Sequence, residues 1–459
     1  MFFHQYYLDC LSQASYLIGD ESTGRAIVVD PRRDISEFLT DARAHGLSIE
    51  GIINTHFHAD FVAGHLEVAH ETGAWIGYGR QATADYDFHR LTHGQHLSLG
   101  NVNIEVLETP GHTWESITLV VRGPTSDEPA IALTGDTLFV GDVGRPDLAV
   151  SVGASQDELA RALYHSLHNV LLQLPDETLL YPAHGAGSAC GKNISTELHS
   201  TIGTQRALNP ALQPTSEDAF VTWITTGQPA IPDYFAVDAV LNRQDRALLR
   251  DSQDIPGLTP GQIRDALAEG TTVIDARSPE EFAAQHLEGA INIGVDGRFA
   301  ETAGMVLGEH DHTVIIAPAG RGPEAVMRLG RVGLDRTVGY VEDSDELFAS
   351  LPDRTSSSHR ATVDEFETKR SHENVTVLDV RNPGERELGA IPGSQHIPLA
   401  ELVRRHDELG TDHEVMVHCA GGWRSSVGAS LLRQLGHRPV SDLPGGYEAW
   451  QQHVAEPAS

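Results

Sequence analysis

Lysine is almost missing from this chain: Lys192 and Lys369 are the only two in 459 residues. Nearly all the basic charge is therefore arginine, and acidic residues outnumber it to a formal net charge of −33. A field of that sign repels nucleic acid and anionic membranes, so neither is expected as a partner. Cysteine is equally sparse, at Cys10, Cys190 and Cys419. An odd set of three does not make a disulfide framework, and reduced thiols in a reducing compartment are the expectation. No apolar run approaches the length of a membrane span. The start, MFFHQYYLDC, lacks the basic end and apolar stretch of a signal peptide, so a cytoplasmic location is expected. The remaining composition, 40% hydrophobic and 21% charged, is that of a soluble globular protein. Its length is too great for one ordinary core and implies two to four domains.

Strands and helices alternate through the first half. SYLIG and RAIVVD read as strands around the turn DESTG. DISEFLTDARAHG reads as a helix opened by Asp34, and IEGIINT as the next strand. VNIEVLETPGHT and IALTGDTLF repeat a strand that runs into a polar loop. Beyond about Leu249 two segments resemble one another, TTVIDARSPEEFAAQHLEGAINI at 271–293 and VTVLDVRNPGERELGAIPGSQHIPL at 375–399. Each is an apolar strand ending in Asp-x-Arg, an acidic helical stretch, a glycine turn and a short strand. TVIIAPAG (313–320) and VMVHCAGG (415–422) follow, each a strand feeding a loop of small residues. Two copies of one α/β module account for this pattern. SSSHR, residues 356–360, reads as the linker between them.

Candidate metal ligands come from four places: His56, His58 and Asp60 in THFHADF; His112 in PGHT; Asp136 in GDT; and His184 in PAHG. A lone HxHxD is weak among 25 histidines. The whole set is stronger, because each member sits on a loop after an apolar strand, and strand ends of one layered sheet converge. The residue after Asp60 is Phe61, which has no lone pair to offer a metal.

In type, order and approximate spacing, THFHAD, PGHT, GDT and PAHG resemble the metallo-β-lactamase superfamily over residues 1 to about 245. The resemblance implies an αββα sandwich. Two-metal hydrolases of that superfamily carry a histidine where Phe61 stands, so Phe61 argues for one metal. Within the superfamily the pattern looks like the persulfide dioxygenases, which use a single iron. That resemblance implies one Fe(II) per chain on His56, His112 and Asp136, with His58, Asp60, His184 and Phe61 around it. Two histidines and one carboxylate leave open positions suited to Fe(II) oxygen chemistry. It also implies that Arg145, in VGRPD, anchors the carboxylate of a glutathione-type substrate. Cys190, on the Gly-rich loop HGAGSACGK, has two readings: a small buried packing residue, or a thiol at the rim of the metal pocket with an accessible sulfur that accepts sulfane sulfur, the second being the expectation to be tested.

In the last module, VMVHCAGGWRSSVGASLLRQLG reads strand, tight loop, helix. Cys419 opens the loop and Arg424 closes it; Gly421, Gly422 and Trp423 lie between. Backbone N–H groups, the helix N-terminus and Arg424 all favour negative charge on the sulfur. With the DVR and LPGGYEAW segments, residues 361–459 resemble the rhodanese family, the thiosulfate sulfurtransferases. The middle module has Ala317 near the cysteine position, so this copy is expected to be catalytically silent.

The expected fold is thus α/β: a metallo-β-lactamase sandwich (1–245), a degenerate rhodanese module (250–352) and an active one (361–459). The implied activity is oxidation of a low-molecular-weight thiol persulfide by O₂ to sulfite. Sulfur transfer would link persulfide, sulfite and thiosulfate in sulfide detoxification. Homo-oligomerisation is expected, as relatives commonly self-associate. Two other readings stand beside this one: a glyoxalase-II-like thioester hydrolase, and a sulfur-carrier or persulfide-sensing protein that oxidises nothing.

Overall fold

A computed structural model of the protein describes residues 1–125, 128–148, 153, 155–214, 216–249, 254–372, 374–410 and 413–455. The chain forms two compact units, one of residues 1–231 with 235–249 and one of residues 232–234 with 250–459. The sequence boundary at residue 250 lies outside the described residues. No helix among the described residues is long and apolar enough to cross a membrane.

The first unit is a sandwich of two six-stranded sheets. One takes its strands in chain order: Phe2–Leu8, Gln13–Asp20, Arg25–Val29, Ser48–Ile53, Trp75–Gly79 and His89–Leu91. Its first three strands are antiparallel neighbours and the rest pair in parallel. The other sheet runs from His96–Ser98 through Asn103–Glu108, Ile117–Arg122, Ile131–Gly135 and Leu179–Pro182 to Ser200–Thr201.

The period-two alternation of these strands builds the layers. Along Gln13–Asp20, Tyr16 and Ile18 enter the core between the sheets, with Ile104, Val106, Leu119 and Leu133 opposite. Leu17 points the other way, into a second core with Phe38, Ala42 and Val68 of the covering helices. Leu163 and Leu167 of the helix Gln156–Asn169 cover the far sheet with Leu180 and Phe220. This is the αββα arrangement that the family resemblance implied. The first helix differs in its start. It spans Ser36–Ala44 behind Ile35, and no side chain caps it. Asp34 instead accepts from Arg32 Nε at 3.0 Å, because that buried guanidinium needs carboxylate partners.

The second unit holds two four-stranded parallel sheets of the same order. In the first, Ile291–Asn292, Thr272–Asp275, Thr313–Ile316 and Thr337–Val341 lie side by side. In the second, the equivalents are Gln395–His396, Val375–Asp379, Glu414–His418 and Val440–Asp442. The shared Asp-x-Arg serves one purpose in both. Arg277 folds back on Asp275 and Arg381 on Asp379, so each buried carboxylate at a strand end is neutralised locally. The expected linker is partly ordered, since Thr355–Ser356 pairs antiparallel with His286–Leu287. Its backbone satisfies a strand edge of the preceding module.

Candidate functional site

Each candidate ligand leaves the end of a strand of the sandwich. The segment 55–65 follows Ser48–Ile53, His112 follows Asn103–Glu108, Asp136 follows Ile131–Gly135 and His184 follows Leu179–Pro182. Ligand atoms of His56, His112 and Asp136 lie within 4.8 Å of one another, and all three residues are buried. Asp136 Oδ2 stands 3.8 Å from His56 Nε2 and 3.5 Å from His112 Nε2. Those gaps are too wide for hydrogen bonds, and His56 Nε2 and Asp136 Oδ2 have no hydrogen-bond partner.

The outer nitrogens fix the tautomers. His112 Nδ1 lies 2.8 Å from the Arg145 carbonyl oxygen, which can only accept, so Nδ1 carries the proton and Nε2 keeps its lone pair. The Thr55 hydroxyl gives its one proton to Asp30 Oδ2, leaving oxygen lone pairs for His56 Nδ1 at 3.0 Å. His56 Nε2 is then also a bare acceptor. Two imidazole lone pairs and a carboxylate oxygen facing one dry point are unfavourable alone and fit a metal cation. Burial alone would raise the Asp136 carboxyl, but His184, His56 and His112 outweigh it and hold it well below the usual range. Burial, with His58 next, lowers His56.

His184 links this point to a second cluster. Its Nδ1 lies 2.8 Å from Asp136 Oδ1, while Nε2 stands 2.7 Å from Asp60 Oδ2. Burial alone would lower the His184 imidazole, but the two carboxylates outweigh it and draw it well above its usual value, while Asp60 Oδ1 has no hydrogen-bond partner. Asp60, His184 and Cys190 place ligand atoms within 4.8 Å of one another. Sequence reading left this place short of a ligand because of Phe61; the fold brings the Cys190 sulfur to it. Phe61 itself is fully buried and packs on the His58 ring at 4.3 Å between centroids. His58 turns its Nε2 to Asp30 Oδ1 at 3.0 Å.

Two expectations change. Cys190 is not an accessible rim thiol: it is 1% exposed, and burial with Asp60 and Asp136 pushes its thiol well up. Arg145 does not offer its guanidinium to a ligand. It is 1% exposed, and Nε and Nη2 hold Asp147 at 2.6 and 2.7 Å while Nη1 meets the Ala189 carbonyl at 3.2 Å. Its backbone N–H also donates to the Cys190 carbonyl at 3.0 Å. Arg145 therefore ties the loop at 143–147 to the loop that begins with His184, and its own carbonyl aims His112. Gly144 makes this close approach possible, since a Cβ there would stand 1.9 Å from the Asp136 carbonyl oxygen.

Several supports were not read from the sequence. Asp30 ends RAIVVD with φ of +49°, rare for a residue other than glycine, and accepts from the Thr55 backbone and hydroxyl as well as facing His58. The strand-end aspartate was the available signal. Asn242 had none: from far along the chain it accepts from Ala63 N–H and donates to the His58 and Phe61 carbonyls.

In the last module the Cys419 sulfur accepts from the Gly422 N–H at 3.1 Å, and Cys419 is 2% exposed. Gly422 has φ of +94°, and a Cβ there would stand 2.6 Å from Gly445 N, so LPGGYEAW backs the loop directly. Its Tyr447 and Glu448 N–H groups donate to the Cys419 and Ala420 carbonyls at 2.7 and 3.1 Å. Arg424 does not lie bare over the sulfur. Both its Nη atoms hold Glu385, at 2.6 and 2.7 Å, a partner that sequence reading missed.

The middle module has no thiol at this place, and Ala317 is buried there. It does grip the helix Trp423–Gln434. Asn292 accepts from Ser426 Oγ at 2.6 Å and donates from its backbone to Ser430 Oγ at 2.9 Å. The same side chain donates to the Asp275 and Arg277 carbonyls, both at 3.0 Å. Gly294 and Gly297 lie against the Trp423 indole, and a Cβ on Gly297 would meet it at 2.5 Å. Trp423, Ser426 and Ser430, at i, i+3 and i+7, form the helix face held by the middle module.

Comparison with known proteins agrees with this architecture. The metallo-beta-lactamase superfamily matches residues 8–184, and the rhodanese-like domain matches residues 259–344 and 362–453. The chain belongs to the metallo-β-lactamase superfamily, with two rhodanese-like domains behind that domain. More particularly, it is 31% identical over 208 residues to the mitochondrial persulfide dioxygenase ETHE1 of Homo sapiens, covering 44% of this chain and 73% of that protein. It is 36% identical over 176 residues to a hydroxyacylglutathione hydrolase of Polaromonas sp., covering 37% of this chain and 61% of that protein. A metallo-beta-lactamase structure from Staphylococcus aureus subsp. aureus COL aligns with TM-score 0.66 and 32% identity, over 74% of this chain and 98% of that one.

Proposed function

We propose that the protein is a non-haem iron persulfide dioxygenase joined to a sulfurtransferase, built as domains 1–245, 250–352 and 361–459. The observation that carries this reading is the buried convergence of His56 Nε2, His112 Nε2 and Asp136 Oδ2 with no hydrogen-bonded partner for the first and last. Those three residues would hold one Fe(II), which when bound supplies the redox chemistry for O₂ to oxidise a persulfide sulfur. The overall reaction balances as persulfide RSSH plus O₂ plus H₂O giving thiol RSH and sulfurous acid, ionised at neutral pH to sulfite. The chain's own contribution is positional. Thr55 and Arg145 hold the two imidazoles as acceptors, His184 orients the Asp136 carboxylate, and Phe61 keeps the pocket wall dry.

In the last domain a Cys419 thiolate takes the outer sulfur of a persulfide or of thiosulfate. The S–S bond breaks as the Cys419 S–S bond forms, and the thiol or sulfite leaves with the electron pair. Gly421, Gly422 and Trp423 line that loop, the Gly422 N–H donates to the sulfur, and the charge of Arg424 acts on it from a guanidinium held by Glu385. Transfer of that sulfur to sulfite gives thiosulfate, so the product of the first domain is the acceptor for the second. The implied role is sulfide detoxification. Oxygen uptake and sulfite release by the iron-loaded protein, given a glutathione-type persulfide, test the reading. Loaded protein that consumes no O₂ with any thiol persulfide overturns it.

One observation favours a second reading. Asp60, His184 and Cys190 form a further ligand-rich cluster beside Asp136, and the hydrolase relative shares this half of the chain. Two metals there would favour thioester hydrolysis. Cleavage of an acylglutathione thioester with two metals per chain and no O₂ uptake is its signature.

A further inference from the structure

A cavity of about 460 Å³ opens in the second unit, away from the Cys419 loop. Its lining includes Arg433, Arg438, Glu288, His286 and the serines 356–358. The volume falls within the roughly 300–1,000 Å³ of small-molecule sites. Its charges are what distinguish it. In so acidic a chain, arginines of this unit are commonly met by carboxylates: Arg360 by Asp442, Arg386 by Asp379, Arg424 by Glu385. Arg433 and Arg438 have no such partner among the described residues. Arg433 gives a single hydrogen bond, from Nη1 to the Val440 carbonyl at 3.0 Å, although it is half-buried on the last turn of its helix. The neighbouring Asp442 carboxylate is already held by Arg360.

We propose that this cavity binds the oxyanion group of a small molecule, a phosphate or a thiosulfate-like dianion, between the Arg433 and Arg438 guanidiniums with the serine hydroxyls as further donors. Planar guanidinium forks match such oxygens bidentately, and a half-buried guanidinium with most of its N–H groups unused loses least by taking one. Burial outweighs the pull of Asp442 and, with the smaller push of Arg438, brings the Arg433 guanidinium down to about 10, so it remains cationic at neutral pH and gains from a counter-charge. His286 is held down to about 4, chiefly by burial, and at neutral pH it adds no charge of its own. The lone carboxylate in the lining, Glu288, is exposed and opposes the anion. The helix Trp423–Gln434 carries Arg433 in its last turn, so an occupant would sit on the same rigid element as the sulfur-transfer loop, about 15 Å along it.

Calorimetric titration of the full-length protein with inorganic phosphate, thiosulfate and ADP tests this at low ionic strength. The expected result is saturable binding that falls at least tenfold in Arg438→Met and in Arg433→Met and strengthens in Glu288→Gln. Sulfur transfer at Cys419 serves as the fold control. Should Arg433→Met fail to fold, the exposed positions Arg438 and Glu288 decide the matter alone. Similar affinity for the two inorganic anions and ADP assigns the site to a free oxyanion; ADP at least tenfold tighter than phosphate assigns it to one carried on an organic body. Absence of saturable binding to the wild type, or binding that Arg438→Met and Glu288→Gln both leave unchanged, overturns the proposal.

Discussion

The Arg145 carbonyl oxygen lies 2.8 Å from His112 Nδ1, while the Arg145 guanidinium is spent on Asp147 and Ala189. One residue thus aims a candidate metal ligand with its backbone and locks the aiming loop with its side chain. Arg145→Gln keeps the carbonyl and loses the lock. Metal affinity should fall about tenfold, the lower end for a group supporting a ligand, with KM for persulfide changed less than twofold. Equilibrium metal titration beside steady-state kinetics checks this. A tenfold rise in KM at unchanged metal affinity would restore Arg145 as a substrate anchor.

Asp136 and Cys419 lie in separate units, so the two proposed chemistries should separate by mutation. Asp136→Ala should abolish metal binding and O₂ uptake and leave thiosulfate sulfur transfer within twofold of wild type. Cys419→Ser should do the reverse. An oxygen electrode and a sulfurtransferase assay on both variants suffice, and loss of O₂ uptake from a small-molecule persulfide in Cys419→Ser would sink the independent-site view.

Cys190 should be silent toward alkylating reagents in the native protein. Burial and two carboxylates raise its thiol, so at neutral pH it stays protonated, and the protonated form is not the nucleophile. Mass spectrometry after iodoacetamide should find Cys190 unmodified until the chain is denatured. Labelling of Cys190 at the pace of a small thiol would return it to the pocket rim.

Asn292 should matter to the Cys419 loop of the next module. Asn292→Ala removes the acceptor of Ser426 Oγ and two bonds to buried carbonyls, costing about 2–3 kcal/mol by the usual penalty for unpaired buried groups. Sulfur-transfer kcat should drop about tenfold, as expected when a supporting shell loosens a reacting group. O₂ uptake should not change. An unaltered kcat with lowered thermal stability would confine Asn292 to packing.

Glu67 should make the first unit acid-sensitive. Burial pushes its carboxyl up, but hydrogen bonds and charges from Arg246 and Arg33 win and bring it down to about 2 from 4.5. A lowered folded value means the folded state binds fewer protons, so this contribution is complete above about 4.5 and is lost as pH falls toward 2. Glu67→Gln should flatten the loss of stability with acid across that window, which denaturant titrations at several pH values would reveal.

How far the fold was legible depends on how local its signals are. Tyr16, Leu17 and Ile18 alternate between two cores, and that alternation is plain in SYLIG. The paired Asp275–Arg277 and Asp379–Arg381 are two residues apart, so the duplicated module could be seen in the chain. The start of the first helix was misplaced because Asp34 answers to Arg32 and not to the helix end.

His56, His112, Asp136 and His184 were recognisable because each follows a strand directly, and strand ends of a sandwich must emerge together. The sequence by itself therefore determined the strand and helix alternation, the duplicated module, the candidate ligand set and the Cys419 loop, all carried by periodicity or by residues close in the chain, while the αββα layering came from the family resemblance. Only the tertiary structure decided which partners those residues meet. It closed Arg145 onto Asp147, sank Cys190 beside Asp60 and His184, gave Arg424 to Glu385, and put Asn292 of the middle module under the helix that follows Cys419 in the last. The reason is physical. A buried donor, acceptor or charge must be satisfied by whatever the packing brings within about 3 Å, and that neighbour is set by how layers and modules stack rather than by distance along the chain.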